Sequence, residues 1–526
     1  MKKFNHIFGT AATVAALLFS LTILSCSAAS DGPSVIAFPP QPTPTTTPTT
    51  PEQNNAQSTP VTLETPLTLE AAAAGAVVTF VNKSAGPVTY KVNGGAAQTI
   101  ASGATETITL ASVGDKVEFF GANKAYATNY YSNYSNIACD KDCYVYGNIM
   151  SLIKSEGFEK ATALEEGYAF TYFFRNNTHF MNKSGADLLL PATTLADDCY
   201  YMMFYGCTGL TKVPELPATT LARECYSGMF GGCTSLTSAP TLPATMLAIS
   251  CYSSMFSGCT SLASAPTLPA TTLADSCYKN MFSGCSRLAS VPLNLPATTL
   301  ADSCYHNMFT GCTSLASAPT LPATTMASLC YGGMFSGCTS LASAPTLPAT
   351  MLASTCYAGM FRNCASLASA PTLPATTLAS SCYSSMFEGC TSLASAPTLP
   401  ATTLASSCYS SMFSGCTSLA SAPTLPVTTL ADSCYQSMFL GCTSLASAPE
   451  LPATILATAC FRYMFYNCSK LASITCLATD MSASECTKGW LDNVAASGTF
   501  IKASGANWSG KTGREGIPSG WTVKNK

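Results

Sequence analysis

The apolar positions of the chain repeat with a fixed spacing. From about residue 190 to residue 470, a block close to CTSLASAPTLPATTLADSCYSSMFSG recurs with little change. Each copy contains a Cys-Tyr pair, and its cysteine is residue 199, 225, 251, 277, 304, 330, 356, 382, 408, 434 or 460, with Phe461 replacing the tyrosine in the last copy. Every step is 26 residues except one of 27, and a second cysteine follows each first one at +8. The pattern predicts eleven repeats.

One repeat carries too little apolar surface to fold alone. Its large apolar side chains are Leu262, Leu268, Leu273, Tyr278, Met281 and Phe282. Their burial does not offset the conformational entropy of ordering 26 residues. Stacked copies bury both faces of every interior unit, and a period of 26 lies in the range of leucine-rich repeats. The sequence therefore predicts a solenoid.

Within a repeat, the order of residues predicts a short strand followed by a helical turn. We expect the strand at Leu262–Ala265, because Pro266 and Pro269 follow and proline cannot donate to a parallel ladder. Asp275 is a candidate N-cap and Gly284 a candidate terminator of the helical turn. The buried stripe of that turn would be Leu273, Cys277, Met281 and Phe282. The predicted fold class is an α/β solenoid.

The first residues have the pattern of an export signal. Lys2 and Lys3 precede an apolar stretch that ends at Ser25 and Cys26. The letters ILSC resemble a bacterial lipobox, in which cleavage before the cysteine leaves it to carry lipid. We therefore expect a signal peptide at 1–25 and lipidation of Cys26, which would tether the protein to a bilayer. Ordinary signal cleavage nearby, with a spare thiol, is the alternative.

Two further segments precede the repeats. Residues 26–66 are predicted to be a linker, because proline and threonine dominate from Phe38 onward and favour an extended chain. This linker is either a stalk or a low-complexity spacer without a required length. Residues 67–142 contain short β-branched and aromatic runs separated by turn signals, which predicts a small β domain. Its Tyr- and Asn-rich end suits either sugar stacking or packing against the next domain.

Composition excludes several functions. The net charge is −3 and 10% of the residues are charged, so the chain lacks the basic surface that nucleic acids require. Only three histidines occur, and no P-loop, nucleophile elbow or CxxC pair is present. Asp275, Asp302 and Asp432 share one column of the repeat and are interpreted as N-caps, while His306 is interpreted as a solvated substitution. We expect no enzyme activity and no cofactor.

The 22 repeat cysteines form two predicted ladders. Neighbours on successive coils would lie about 4.8 Å apart with parallel side chains, which is beyond the Cβ separation that a disulfide needs. No histidine or carboxylate column accompanies the thiols, so no metal site is expected. We predict that most of these cysteines are reduced and buried. Pairing within a repeat, such as Cys277 with Cys285, is the alternative.

The repeat phrases resemble a known family. MFSGCTSL at Met412–Leu419 and the LPxTTLxxxCYxxMF pattern at Leu425–Phe439 are similar to the BspA-like leucine-rich-repeat surface proteins of host-associated bacteria such as Bacteroides and Treponema. The resemblance implies a solenoid over 143–476, with degenerate capping repeats near Cys143 and Tyr172. It also implies a C-terminal cap over 477–526, which holds all three tryptophans. Family members are associated with adhesion to host matrix, host cells or other bacteria.

These observations lead to one functional hypothesis and one alternative. We expect a lipid-anchored surface protein that binds a host macromolecule, a glycan or another cell through repeated weak contacts. The strand face would carry small residues such as Ala263, Ser264 and Thr267, so individual contacts would be weak. The alternative is a spacer or coat protein that binds nothing specific. The sequence identifies no individual binding residue and leaves open which side of the outer membrane the protein faces.

Overall fold

The computed structural model describes residues 62–129, 132–511 and 513–526, all of which lie in one compact unit, residues 59–526. The predicted signal peptide, the lipidation of Cys26 and most of the predicted linker lie outside the described residues. The described chain comprises the β domain, the repeats and the C-terminal segment.

Eight strands form the N-terminal β domain. They are β1 (Leu67–Ala71), β2 (Ala76–Val81), β3 (Val88–Val92), β4 (Gln98–Ile100), β5 (Thr105–Leu110), β6 (Lys116–Gly121), β7 (Asn136–Cys139) and β8 (Cys143–Asn148). One sheet has the order β8-β1-β6-β3-β4 and the other β5-β2-β7, all antiparallel. Burial alternates along β2 and β6, so each sheet turns one face inward. Phe80 meets Phe119 at 5.3 Å between ring centroids, which joins the two sheets.

Strand β8 belongs to both the β domain and the repeat stack. It pairs antiparallel with β1, where Val145 faces Leu69. It also pairs parallel with β9 (Phe180–Met181) and β10 (Leu188–Leu189), which belong to the first coils. The boundary drawn from sequence between 142 and 143 therefore passes beside a strand that the two regions share. The first coils are built directly on the sheet of the β domain.

The repeats contain no α-helix, so the α/β assignment is wrong. In the described chain, the helices are three short 3-10 segments, at Ile149–Leu152, Phe158–Lys160 and Gly513–Glu515, and all lie outside the repeats. The segment predicted as a helical turn is instead a series of tight turns. Every fourth residue in it has a left-handed backbone: φ is 56° at Ser276, 55° at Asn280 and 76° at Gly284. L-residues do not continue an α-helix through that conformation.

The hydrogen bonds of this turn segment explain why it replaces a helix. The N–H of Met281 donates to the carbonyl of Tyr278 in its own coil, at 3.2 Å. The next N–H, that of Phe282, donates to the carbonyl of Met308 in the following coil, at 2.9 Å. This alternation runs through the segment and recurs from coil to coil. In an α-helix every N–H would donate to a carbonyl of the same helix, whereas here half of the N–H groups donate to a neighbouring coil.

The side of the coil opposite the turn segment has few strands. Where a strand is predicted at Leu262–Ala265, the structure has a single bridge, between Ser264 and Ser290. Pro266 and Pro269 have no N–H to extend the ladder. Longer parallel pairing occurs at the C-terminal end, in β11 (Ser447–Leu451), β12 (Ser473–Cys476), β13 (Gly498–Lys502) and β14 (Trp521–Asn525). The solenoid itself is confirmed, but its coils are turns and bridges.

Columns of identical side chains fill the core of the stack. Tyr278 stacks on Tyr305 with ring centroids 5.7 Å apart and planes within 5°, and Phe282 stacks on Phe309 in the same way. Leucines such as Leu262 and both cysteine columns are also buried. Leu273, predicted in the buried stripe, is only partly buried. Because every coil repeats the same contacts, its stability depends on its neighbours.

Tryptophans cover the last coils. Trp490 is fully buried, stacks on Phe461 at 6.2 Å and contacts Trp508 at 5.5 Å. Its indole N–H donates to the carbonyl of Gly516, at 3.2 Å. The aromatic column thus ends on two stacked indole rings, Trp490 and Trp508, which cover the final coil.

Candidate binding surface

Rows of small hydroxyl side chains lie on the outer face of each coil, on the side where the isolated β-bridges join neighbouring coils. Leu268 and Ala270 point inward, so the alternating residues Thr267, Pro269 and Thr271 face solvent. The same residues recur in most coils, and each exposed position therefore becomes a column running along the stack. We call these columns the hydroxyl face. Its regularity follows directly from the 26-residue repeat.

The hydroxyl groups of this face are partly engaged with the stack itself. Thr402 Oγ1 donates to the carbonyl of Thr376 in the preceding coil, at 3.4 Å. Thr479 Oγ1 donates to the carbonyl of Thr454 in the same manner, at 3.3 Å. A threonine hydroxyl that donates inward keeps its lone pairs as acceptors. The face therefore offers methyl groups and hydrogen-bond acceptors to a ligand.

The hydroxyl face carries little charge. Only seven charged residues lie between 234 and 449. Three large apolar side chains are exposed beside this face, in the adjacent column of Thr272, namely Met246, Met351 and Ile455. A ligand of this face would be recognised through hydrogen bonds and van der Waals contact, because electrostatic attraction is weak there.

The single-residue insertion of the 27-residue step lies at this face. Leu293 is 89% exposed, and the neighbouring Asn294 forms a bridge with Thr320 in the next coil. Thr320 Oγ1 also donates to Asn294 Oδ1, at 2.7 Å. The extra residue therefore bulges outward without changing the columns on either side.

The recurring aspartates have a different role from the one predicted. Asp275 Oδ1 accepts the backbone N–H of Asp302 at 3.1 Å, and Asp432 Oδ1 accepts that of Thr458 at 3.1 Å. Asp302 Oδ1 accepts the N–H of Ser328 at 2.8 Å. The interpretation as helix N-caps is wrong, because each carboxylate bridges to the next coil. They are structural groups of the stack.

His306 is half-buried and not solvated as expected. Its Nε2 lies 3.1 Å from Asn307 Nδ2, and its Nδ1 is buried without a hydrogen-bond partner in the protein. Burial, and then the nearby Lys279, hold the pKa of His306 below its ordinary value. The lowered pKa favours the neutral form of the ring near neutral pH, and the ring lies against Gly332 of the next coil.

A cavity of about 180 Å³ lies where the β domain meets the first coils. We call it the junction pocket. Its walls are mostly apolar, and its rim includes the ion pair of Lys212 and Asp187, whose nitrogen and oxygen lie 3.0 Å apart. Its lining includes Leu63, Val145, Leu190, Phe204, Leu210 and Pro217. Sequence reasoning missed it, because β8 brings these distant residues together and no local motif marks them.

The Tyr- and Asn-rich stretch packs against the first coils. Tyr134 contacts Tyr172 edge to face, with ring centroids 4.9 Å apart. The Arg175 guanidinium lies over the rings of Tyr172 and Tyr205, at 4.6 and 5.7 Å. For the residues of this stretch that the structure describes, packing between domains is the better interpretation than sugar stacking. Residues 130 and 131 lie outside the described chain.

The two cysteine columns differ in their contacts. In the second column, Cys338 Sγ donates to the carbonyl of Phe309 in the preceding coil, at 3.1 Å. In the first column, Cys330 lies near backbone amides of its own coil, including that of Tyr331. Burial raises the pKa of Cys338 to about 12 and that of Cys330 to about 11. Such thiols stay protonated and unreactive near neutral pH.

The 26 cysteines of the described chain are all unpaired. Within these residues, no cluster of histidine, cysteine and carboxylate side chains is arranged to hold a metal ion. The reduced state of the repeat cysteines in the cell stays a prediction. The structure adds a hydrogen-bonding role for the second column, whereas the sequence pattern predicts only a buried hydrophobe there.

A stack of identical coils with inward leucines and an outward polar face defines a leucine-rich-repeat solenoid. The family described as "BspA type Leucine rich repeat region (6 copies)" matches residues 176–316, 306–446 and 385–485. Together these ranges cover more than half of the chain, so the protein belongs to the BspA-type leucine-rich-repeat family, as its sequence phrases predicted. No curated protein and no solved structure shows a significant match.

Proposed function

We propose that the protein is a lipid-anchored surface adhesin of a host-associated bacterium. Cys26 would carry the lipid, and the hydroxyl face would bind a repetitive ligand such as a host glycan, a fibrous matrix protein or the coat of another cell. The observation that carries this proposal is the repetition of the same exposed columns on coil after coil. Family membership and the export signal add to it.

The chemistry of the hydroxyl face favours a neutral, hydrogen-bonding ligand. Few charges lie on the central coils, so charge neither attracts nor repels a ligand strongly there. Each coil offers a small contact without an aromatic or arginine anchor, which makes a single contact weak. Many equal contacts along one ligand chain raise the overall avidity steeply. A polymer with a repeating unit would therefore be bound far better than its monomer.

The alternative is a spacer or coat protein that binds nothing specific. The small side chains of Ala263, Ser264 and Thr267 favour it, because such residues rarely dominate binding interfaces. The two proposals differ in one measurable respect. An adhesin loses affinity as coils are removed, whereas a spacer has no affinity to lose.

Binding of the purified full chain to immobilised neutral host glycans and fibrous matrix proteins tests the proposal. The matched variant lacks residues 330–407, which are three whole repeats. We expect the full chain to bind at least one surface, and the apparent Kd to rise more than tenfold in the variant. Equal binding by both proteins would place the site in the β domain or the C-terminal segment. No binding to any surface would favour the spacer.

Anchoring is tested separately. Cys26→Ser should release the protein from the membrane fraction, since the lipid would have no attachment point. Protease treatment of intact cells then reports which side of the outer membrane the repeats occupy. A Cys26→Ser protein that stays in the membrane fraction would contradict lipidation. Within the described residues, no helix is long and apolar enough to cross a bilayer.

A further inference from the structure

Two cysteines outside the repeats lie on either side of one tight connection. Strand β7 ends at Cys139 and strand β8 begins at Cys143, with three residues between them. β7 belongs to the three-stranded sheet and β8 to the larger one. Both cysteines are buried, at 8% and 0% exposure. The pair therefore lies at the point where the two sheets of the β domain are linked by the chain.

The connection is fixed by contacts of all three intervening residues. Asp140 Oδ1 accepts the N–H of Val77, at 2.7 Å. Lys141 Nζ donates to the carbonyl of Ala74, at 3.1 Å. Asp142 Oδ1 lies 3.0 Å from His179 Nδ1. These contacts anchor the turn to strand β2, to the β1–β2 connection and to the first coils, so the two cysteines are held in one relative position.

The side chains of Cys139 and Cys143 interact across this connection, and the interaction lowers the pKa of Cys143 and, together with burial, raises that of Cys139. In the second cysteine column, by contrast, Sγ donates to a backbone carbonyl, as Cys338 does. The pair thus combines two neighbouring buried thiols with a turn that holds them in place. Such an arrangement favours a disulfide, which forms by thiol–disulfide exchange with a thiolate as the attacking group.

We propose that Cys139 and Cys143 form a disulfide in the exported protein, whereas the repeat cysteines stay reduced. In the first step, while the chain is folding and Cys143 is still accessible, its thiolate attacks a disulfide of an exported thiol oxidoreductase, forming a mixed disulfide and releasing one oxidoreductase thiol. Cys139, once deprotonated, then attacks the Cys143 sulfur and releases the second oxidoreductase thiol. The pair loses two electrons and two protons, and the oxidoreductase disulfide gains them.

The bond would stabilise the base of the repeat stack. Cys143 is the first residue of the shared strand β8, and its N–H donates to the carbonyl of His179, at 3.0 Å. Cys139 pairs with Val78 of β2, within the three-stranded sheet. A covalent link here holds the two sheets together beneath the first coil. It would be the one cross-link in a chain whose other described thiols serve as packing groups.

Peptide mapping of the full chain from exporting cells tests the proposal. Thiols are blocked with iodoacetamide at harvest under denaturing, non-reducing conditions, and the protein is then digested with trypsin. Because Lys141 lies between the two cysteines, cleavage there separates them into two peptides. We expect these peptides to stay linked and to separate on reduction, while Cys330 and Cys338 are fully alkylated.

Two results would overturn the proposal. One is alkylation of Cys139 and Cys143 to the same extent as Cys330 and Cys338. The other is a link from either cysteine to a different partner. The variant Cys139→Ser is the control, since it should leave Cys143 open to alkylation. The outcome does not depend on whether the hydroxyl face binds a ligand, so the adhesin proposal and this one fail separately.

Discussion

The hydroxyl of Tyr331 is buried and has no hydrogen-bond partner in the protein. The aromatic column to which it belongs includes Phe170 near one end and Phe461 near the other, so phenylalanine already fits there. An unsatisfied buried hydroxyl costs stability, whereas the ring contributes packing on both faces. At the scale of the residue, the ring is therefore required and the hydroxyl is not.

This reasoning predicts opposite effects for two substitutions. Tyr331→Phe should raise the free energy of unfolding by about 1 kcal/mol, because it removes the unpaired group. Tyr331→Ala should lower it by about 3–5 kcal/mol, because it leaves a cavity in the column. Guanidinium unfolding followed by circular dichroism measures both. A Phe variant clearly less stable than the parent would show that the hydroxyl has a partner.

The two cysteine columns allow a matched pair of variants. Cys338→Ala and Cys330→Ala remove the same buried sulfur, but only Cys338 donates to a neighbouring coil. Each should destabilise the protein, and Cys338→Ala by about 0.5 kcal/mol more, since a thiol is a weak donor. Comparison of the two unfolding midpoints decides the matter. Equal losses would mean that the thiol–carbonyl contact contributes nothing.

At the scale of the element, the left-handed residues distinguish turns from a helix. Ser385 has φ of 55°, and glycine occupies the same column at Gly333 and Gly359. Ser384, its neighbour, lies outside the left-handed region. Ser385→Gly relieves an unfavourable conformation, which offsets the entropy that glycine adds to the unfolded chain. Ser384→Gly carries that entropy cost without the relief.

We therefore expect Ser384→Gly to be the less stable variant, by about 1 kcal/mol. Thermal unfolding of the two proteins, followed side by side, gives the difference. In a helix, both glycines would be destabilising to the same degree. Equal melting temperatures would thus argue for helical turns at this segment.

The repeat, its period and the buried columns are readable from sequence, because each depends on residue types at a fixed spacing. The turn segment cannot be read from the sequence in this way. Serine rarely adopts the left-handed backbone that Ser276 has, so the pattern predicts a helix instead. The deciding interaction is the hydrogen bond to the next coil, which no single repeat reveals. The junction pocket escapes prediction for the same reason, since β8 assembles it from distant segments.

At the scale of the whole molecule, the stack predicts that whole coils can be removed but not the end that covers them. Deletion of residues 382–407 brings Phe361 onto Phe413, which repeats a contact that the stack already makes. We expect this variant to be monomeric and folded. Size-exclusion chromatography and circular dichroism report both properties. A misfolded deletion variant would mean that the coils are not interchangeable.

Truncation after Ala478 should have the opposite result. It removes Trp490, which stacks on Phe461, and strands β13 and β14, which continue the ladder of β12. The exposed ring column and the open strand edge would drive aggregation. Light scattering compares the truncated protein with the 382–407 deletion, which retains the covered end. A truncated protein that stays monomeric would contradict the stacked architecture.

The alternating hydrogen bonds of the turn segments also determine how the molecule unfolds under a pulling force. The bonds from one coil to the next, such as Phe282 N–H to Met308 O, point along the stack and hold each coil separately. A pull on the two ends loads the outermost row first, so the coils peel away in succession at low force. Each 26-residue coil would release on the order of 85 Å of extended chain. We expect a chain with that property to lengthen under load and to refold coil by coil when the load is removed.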